Sequence, residues 1–380
     1  MAEAFSRQPT QNFPSPLISA ALIVRNEEQH LDACLNSIQH FTDEIVIVDT
    51  GSTDTTVSIA QHYTDKIFTL KWQDDFASAR NFALNHCQGQ WILYIDADER
   101  LRQQDFSEVR QQLTESELIG CYLWLHPTPR HTAYREMRLF RNQPQVLFEG
   151  CIHENIWPAL KRYQKISNGK ISYCELTLDH VGYEGDQQHK YQRNLPLLLD
   201  KLVDDPDHTF SWWHLGSVYW GLQQTEEAIQ AWQSGIESAR KQTGRNWVNS
   251  LSFISMIDAN FSNSEITDPL LNETLQRYPD HPHLTWLQAR IKMRDQQYLQ
   301  AIEHWHEIVN WQTRPHLSDG FIAVDSRLFD LLAFDGLATC YFRLKEFDQA
   351  KHYYQLAGEH APDKMEYSVK QQLCQRLMTN

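Results

Sequence analysis

The stretch WILYIDADE, residues 91–99, closes an apolar run on Asp96 and Asp98, with one alanine between them. In an extended strand, residues two apart point the same way, so the two carboxylates could converge on one divalent cation. Hard oxygen donors of this kind suit Mg²⁺ or Mn²⁺. Two carboxylates alone would hold such an ion weakly, and phosphate oxygens of a substrate would complete its shell. A bare D-x-D equally describes a solvated strand end with capping acids. Two other apolar runs end in a similar way. LISAALIV gives out into RNEE, which offers Asn26 and Glu27 as hydrogen-bonding groups at a pocket rim. EIVIV gives out into DTGSTDTT: Asp49 stands at the tip and Gly51 suits a turn, while Ser52, Thr53 and Asp54 fall where a helix N-cap is wanted. A strand, a turn and a capped helix account for Gly51 and Asp54, but leave Asp49 without a structural task. Arg80, in FASARNFAL, carries a fixed fork of donors that suits phosphate. A lone arginine is just as readily an ordinary surface group.

These groups need elements to aim them. Over the first half, short buried-strand patterns alternate with stretches of helical spacing: LISAALIV, then EEQHLDACLNSIQHF, DEIVIVDT, TDTTVSIAQHY, DKIFTLKW, FASARNFALNHC and QWILYIDADE. Alternation at this spacing predicts βαβ units and a mainly parallel sheet. Ligands of such sheets sit beyond the carboxyl ends of the strands, which is where the polar tips fall. They read as the walls of a nucleotide pocket. No G-x-x-x-x-G-K-[ST] loop is present, which argues against a P-loop enzyme. No G-x-G-x-x-G follows the first strand, which disfavours a dinucleotide site.

Residues 121–180 are strand-rich and irregular, and after about Tyr183 the pattern turns helical. Trp212, Leu215, Gly216, Tyr219, Ala228, Trp232 and Gly235 have tetratricopeptide spacing. Phe334, Leu337, Ala338, Tyr341, Ala350, Tyr354, Ala357 and Pro362 repeat it position for position. A third unit, around Ala301 and Trp305, fits in its second helix only, and 240–280 fits weakly. The expected division is a flexible arm over 1–16, an α/β domain over 17–185 and an all-α repeat domain over 186–380.

Composition sets outer bounds. The 380 residues suffice for two domains with a substantial core. A formal charge of −15 argues against a dedicated nucleic-acid or anionic-membrane surface. No apolar run is long enough for a membrane span, and the N-terminus lacks the pattern of a secretory signal. Seven cysteines without a C-x-x-C pair predict reduced thiols and a cytoplasmic protein.

Taken in order, ISAALIVRNEEQHLDACLNSI, DEIVIVDTGSTDTT, FASARNFAL and GQWILYIDADE resemble the family 2 glycosyltransferases. The resemblance covers about residues 17–185 and is nearest to a bacterial subgroup whose members carry tetratricopeptide repeats after that domain. It implies the GT-A fold, a Rossmann-like nucleotide-diphospho-sugar transferase, and an inverting transfer from a nucleoside diphosphate sugar, with a UDP-sugar favoured. By matching position it assigns Glu27 to the ribose or base, Asp49 to the base edge, Asp96 to ribose and metal, and Asp98 to the metal. Arg25 departs from the residue more common in the family before the Asn-Glu pair. The resemblance also sets a His-Glu pair beside the donor sugar. This makes Glu154 the expected general base, with His153 or His180 as orienting group or third metal ligand. Arg138, rather than Arg141, is the candidate to reach the diphosphate.

Stacked helix pairs form a concave groove, so the repeat domain is expected to recruit a protein or peptide acceptor or a partner. Trp213 and Trp220, outside the repeat consensus, are the candidates for surface contact. Three other readings stay open. They are transfer to a lipid-linked or polysaccharide glycan, a non-catalytic repeat adaptor with a degenerate first domain, and a nucleotidyltransferase.

Overall fold

The computed structural model describes residues 16–127, 130–182, 188–244, 246–311 and 322–379. Apart from Pro16, the arm expected over 1–16 lies outside the described residues, as does 183–187 of the stretch between the domains. Compactness groups residues up to Leu123 with Met137–Leu178 as one unit, and Trp124–Glu136 with the chain from Asp179 onward as the other. The expected boundary ran the first domain continuously to 185.

The Val- and Ile-rich runs ISAALIV and EIVIVD are apolar throughout, as strands covered on both faces require. They form β1 (Ile18–Val24) and β2 (Glu44–Asp49). α1 (Leu31–Ile38) lies between them, and α2 (Thr56–Ala60), β3 (Ile67–Thr69), α3 (Phe76–His86) and β4 (Trp91–Tyr94) follow. After these come β5 (Glu99–Leu101), α4 (Ser107–Gln112), β6 (Leu118–His126), β7 (Tyr134–Arg141), α5 (Trp157–Ser167) and β8 (Lys170–His180). Among the described residues the strands make one eight-stranded sheet, in the order β3-β2-β1-β4-β7-β6-β8-β5. β1 pairs in parallel with β2 and β4, and β2 with β3, whereas β7 runs antiparallel to β4. Val24 is in register with Asp49 and Ala21 with Tyr94. The carboxyl ends of β1, β2 and β4 therefore open on one edge of the sheet.

α3 is held over this edge. Asp75 caps it, accepting from the Ser78 N–H at 3.0 Å. Its Ala77, Ala83 and Leu84 pack into a core with Ala21, Val46, Val48, Ile92, Phe140 and Phe148. Each large apolar side chain buried there stabilises by about 1.5–3 kcal/mol, more than a typical net hydrogen bond of about 1 kcal/mol. Packing, not the polar tips, fixes the strand ends.

The second unit is helical from α6 (Gln188–Asp204) onward. α7 (Thr209–Gly221) and α8 (Thr225–Lys241) form one hairpin; α9 (Leu251–Ala259) and α10 (Ser264–Arg277) occupy the segment that fits the repeat pattern weakly. α11 (Pro282–Arg294), α12 (Tyr298–Trp311), α13 (Leu331–Arg343), α14 (Phe347–Glu359) and α15 (Met365–Met378) complete it. Gly216 shows why the repeat spacing needs a small residue: a Cβ there would lie 2.3 Å from Trp232 Nε1. Of the two tryptophans expected at the surface, Trp220 is exposed. Trp213 is half-buried instead, packed into the core around Trp232 with its Nε1 donating to Ser255 Oγ at 3.2 Å.

Candidate functional site

Three connections leave the open edge of the sheet. After β1, Asn26 takes a left-handed backbone, φ 56°. Its Oδ1 accepts from the Thr53 N–H at 2.8 Å, and its own N–H donates to Ser52 Oγ at 3.0 Å. Asn26 thus ties the first connection to the second. Glu27, half-buried, donates its N–H to Thr56 Oγ1 at 2.7 Å, and Arg25 beside it is exposed. After β2, Asp49 accepts from the N–H groups of Gly51 (3.2 Å) and Ser52 (3.1 Å). The buried Asp49 therefore does have a structural task, which is to shape the turn where Gly51 takes φ 112°.

The third connection corrects the geometry expected for the D-x-D pair. β4 stops at Tyr94, so Asp96 and Asp98 are not strand neighbours facing one way. The Glu99 N–H donates to the Asp96 carbonyl at 3.0 Å, closing a tight turn that carries both aspartates. The Glu99 side chain is fully buried, and its Oε2 accepts the Asp96 N–H at 2.9 Å. Sequence reasoning passed over Glu99. The only signal was an acid directly after a D-x-D and ahead of a short strand.

Both candidate phosphate-binding arginines lie behind this turn. Arg138 is buried and forks onto Glu99, at 2.8 Å and 3.2 Å, with its Nη1 3.8 Å from Asp96 Oδ2 and its guanidinium over the Tyr94 ring. Arg80 is buried as well. Its Nη2 donates to Asp96 Oδ1 at 2.8 Å and its Nε to Glu154 Oε1 at 2.6 Å. Burial opposes the Arg80 charge, but the carboxylates of Asp96 and Glu154 outweigh it and hold the guanidinium above its ordinary value. Neither arginine is presented as an open phosphate clamp, because each is buried and turned onto carboxylates: Arg80 onto Asp96 and Glu154, and Arg138 onto Glu99. Arg141 is likewise structural, donating to the carbonyls of Leu118 and Glu115 and lying over the Trp91 ring.

Glu154 arrives from a loop and not a strand. Glu149 and Asn155 bridge each other, and the chain between them bends with left-handed residues at Gly150 (φ 99°) and His153 (φ 54°). Asn81 pins this loop to α3 through reciprocal bonds to the Phe148 backbone, at 2.8 Å and 3.0 Å. The Phe76 N–H adds a bond to the Cys151 carbonyl at 2.9 Å. The loop thus brings Glu154 to Arg80 and Asp96.

Among the described residues, no group of three or more His, Cys, Asp or Glu is arranged to hold a metal. His180 is the last residue of β8. Asp98 remains partly exposed on the turn, and Asp96 is a third exposed despite its arginines. Mg²⁺ commonly takes one or two carboxylates and completes its shell with water and phosphate. The residues present fit that pattern.

Residues 19–174 match the model of glycosyl transferase family 2, and residues 211–242 and 332–363 match tetratricopeptide repeat models. The chain thus carries a family 2 glycosyltransferase domain of GT-A fold, followed by tetratricopeptide repeats. It is similar to a TPR repeat-containing protein of Synechococcus elongatus, 33% identical over 232 residues, covering 59% of this chain and 57% of the relative. It is also similar to the SPbeta prophage-derived glycosyltransferase SunS of Bacillus subtilis, at 28% over 236 residues, 60% of this chain and 55% of the relative. A third relative is the lipopolysaccharide core biosynthesis glycosyltransferase LpsC of Rhizobium meliloti, at 29% over 202 residues, 41% of this chain and 74% of the relative. The chain spans little more than half the length of the first two. Among solved structures, S. aureus TarS 1–349 aligns with 15% identity and a TM-score of 0.35 over 69% of this chain and 91% of that one. Likeness at that score has no bearing on function. No helix among the described residues is long and apolar enough to cross a membrane. All seven cysteines are free thiols.

Proposed function

We propose that the first unit transfers a sugar from a nucleoside diphosphate sugar, with a UDP-sugar favoured, to an acceptor nucleophile, in a single inverting displacement. The observation that supports this best is the bridge Glu154–Arg80–Asp96, which couples a carboxylate loop to the D-x-D turn at the carboxyl ends of parallel strands. Glu27 and Asp49 would meet the nucleoside, with Asn26, Gly51 and Arg25 shaping that rim. Glu154 would take the acceptor's proton at Oε2, since Oε1 is held by Arg80. General base action typically contributes about 10²–10⁴-fold. His153 would orient the acceptor side of the same loop. Asp98, with Asp96 beside it, would hold a divalent ion, Mn²⁺ or Mg²⁺. When bound, such an ion offsets the negative charge that builds on a leaving diphosphate. Arg80 and Arg138 act as positioning residues, and neither is a diphosphate ligand.

The acceptor is proposed to be a protein or peptide recruited by the repeat groove. The name of the lipopolysaccharide core relative favours a lipid-linked glycan as the second reading. Calorimetric titration of UDP with and without Mn²⁺, into wild type and Asp98→Asn, tests the donor site. Metal-dependent binding that is lost in Asp98→Asn is expected, with thermal stability changed by no more than about 0.5 kcal/mol. Metal-independent binding, or equal binding by both proteins, would remove Asp98 from the site.

A further inference from the structure

Asn81 is an odd residue for the middle of α3. Asparagine is a poor helix former, because its side chain competes for the hydrogen bonds of the backbone. The same helix, FASARNFALNH, carries alanine at three other positions. The half-buried Asn81 amide has a specific task instead, since both its polar atoms go to one residue 67 positions away. Oδ1 accepts from the Phe148 N–H at 2.8 Å, and Nδ2 donates to the Phe148 carbonyl at 3.0 Å.

Phe148 is where the core ends and the carboxylate loop begins. Its ring is buried, edge-on to Tyr94 with 5.0 Å between ring centres, and the Arg80 guanidinium lies over it at 5.6 Å. The next residue, Glu149, exchanges two backbone bonds with Asn155, at 3.1 Å and 2.9 Å. Glu154 immediately precedes Asn155. A shift of Phe148 therefore reaches Glu154 across the 149–155 bridge, without passing along residues 150–153. Those residues do not hold themselves in place. His153 is left-handed, which is unfavourable for a non-glycine residue and persists only where the surroundings impose it. α3 supplies that constraint at three points: the Phe76 N–H on the Cys151 carbonyl, Arg80 on the Glu154 carboxylate, and Asn81 on the Phe148 backbone.

With Glu154 read as the base of the proposed transfer, on which this rests, we propose that Asn81 positions Glu154 through the Phe148 backbone. Arg80 and Asn81 are neighbours in α3 and divide the work. Arg80 holds the carboxylate, and Asn81 holds the backbone that delivers it. A base must lie within hydrogen-bond reach of the proton it takes. Misplacement by about 1 Å costs about 10²-fold in rate.

Asn81→Ala and Asn81→Asp in the full chain test this. The first removes both bonds. The second, equal in size, sets a carboxylate oxygen against the Phe148 carbonyl and opens no cavity. In both, the amides of 148–155 should exchange with deuterium about tenfold faster than in wild type, with β1 and β2 unchanged. Cys151, the one cysteine that is not buried, should report the same release by reacting faster with an aromatic disulfide reagent. UDP with Mn²⁺ should bind both variants as it binds wild type. UDP release from UDP-glucose or UDP-N-acetylglucosamine, with water as acceptor, should show kcat lowered about 10²-fold and KM unchanged. Unchanged exchange at 148–155, exchange that rises equally through β1 and β2, or a freed loop with undiminished UDP release overturns the proposal. So does an effect confined to Asn81→Ala, which would be that of a cavity. A wild type that releases no UDP from either donor counts against the sugar-transfer reading, and exchange at 148–155 then judges the Asn81 anchor by itself.

Discussion

Arg80 and Glu154 are 74 residues apart in the chain, yet the Nε of the first donates to the Oε1 of the second at 2.6 Å. The same guanidinium holds Asp96 at 2.8 Å, so α3, the D-x-D turn and the 149–155 loop meet at one buried cation. The loop carries the proposed base and the turn carries the proposed metal ligands. Their mutual geometry passes through Arg80.

Arg80→Ala is expected to remove the cation between Glu154 and Asp96, leaving the more distant Arg138, at 3.8 Å, beside Asp96. Breaking a fully buried pair costs about 3–5 kcal/mol. Here the Glu154 and Asp96 side chains keep 13% and 33% of their exposure, so a loss of about 1–3 kcal/mol is expected in urea unfolding. Arg80→Lys should recover part of that stability but not sugar transfer, because an ammonium cannot hold both carboxylates in a fixed fork. Full transfer activity in a folded Arg80→Lys protein would show that the bridge positions nothing.

The Glu99–Arg138 pair is the more deeply buried. Glu99→Gln or Arg138→Met alone is expected to cost about 3–5 kcal/mol, since each strands the other charge. Replacing both, as Glu99→Met with Arg138→Met, should recover most of the loss, and a double-mutant cycle by thermal unfolding measures the difference. Costs that simply add would mean that the two do not act as a pair.

Glu44 governs part of the acid stability. Burial alone would raise its carboxyl. The Gln88 N–H at 2.7 Å, the Lys66 ammonium and the Ser19 hydroxyl outweigh that and hold it below the ordinary glutamate value. With the folded value below the unfolded one, the stabilisation is fully present above about pH 4.5 and drains away as pH falls through the folded value. Glu44→Gln should therefore lower stability at neutral pH and flatten its decline on acidification, as followed by urea unfolding at stepped pH. An unchanged acid slope would assign the decline to other carboxylates.

Much of this molecule was legible in the residues themselves. The apolar runs of β1 and β2, the helical spacing around α3 and the mirrored repeat positions of α7–α8 and α13–α14 are local patterns, and local periodicity dictates local structure. The identities of Asp49, Asp96 and Asp98 as candidates were legible for the same reason, as polar tips on apolar elements, whereas Glu154 came forward through the family resemblance. The sequence could not reveal that β4 ends at Tyr94, that Glu99 turns inward, or that Arg80 and Arg138 face carboxylates and not solvent. Those outcomes rest on contacts 16, 39 and 74 residues apart. A side chain's charge is written in the sequence. Its partner is decided only when packing closes the sheet and removes water from around both.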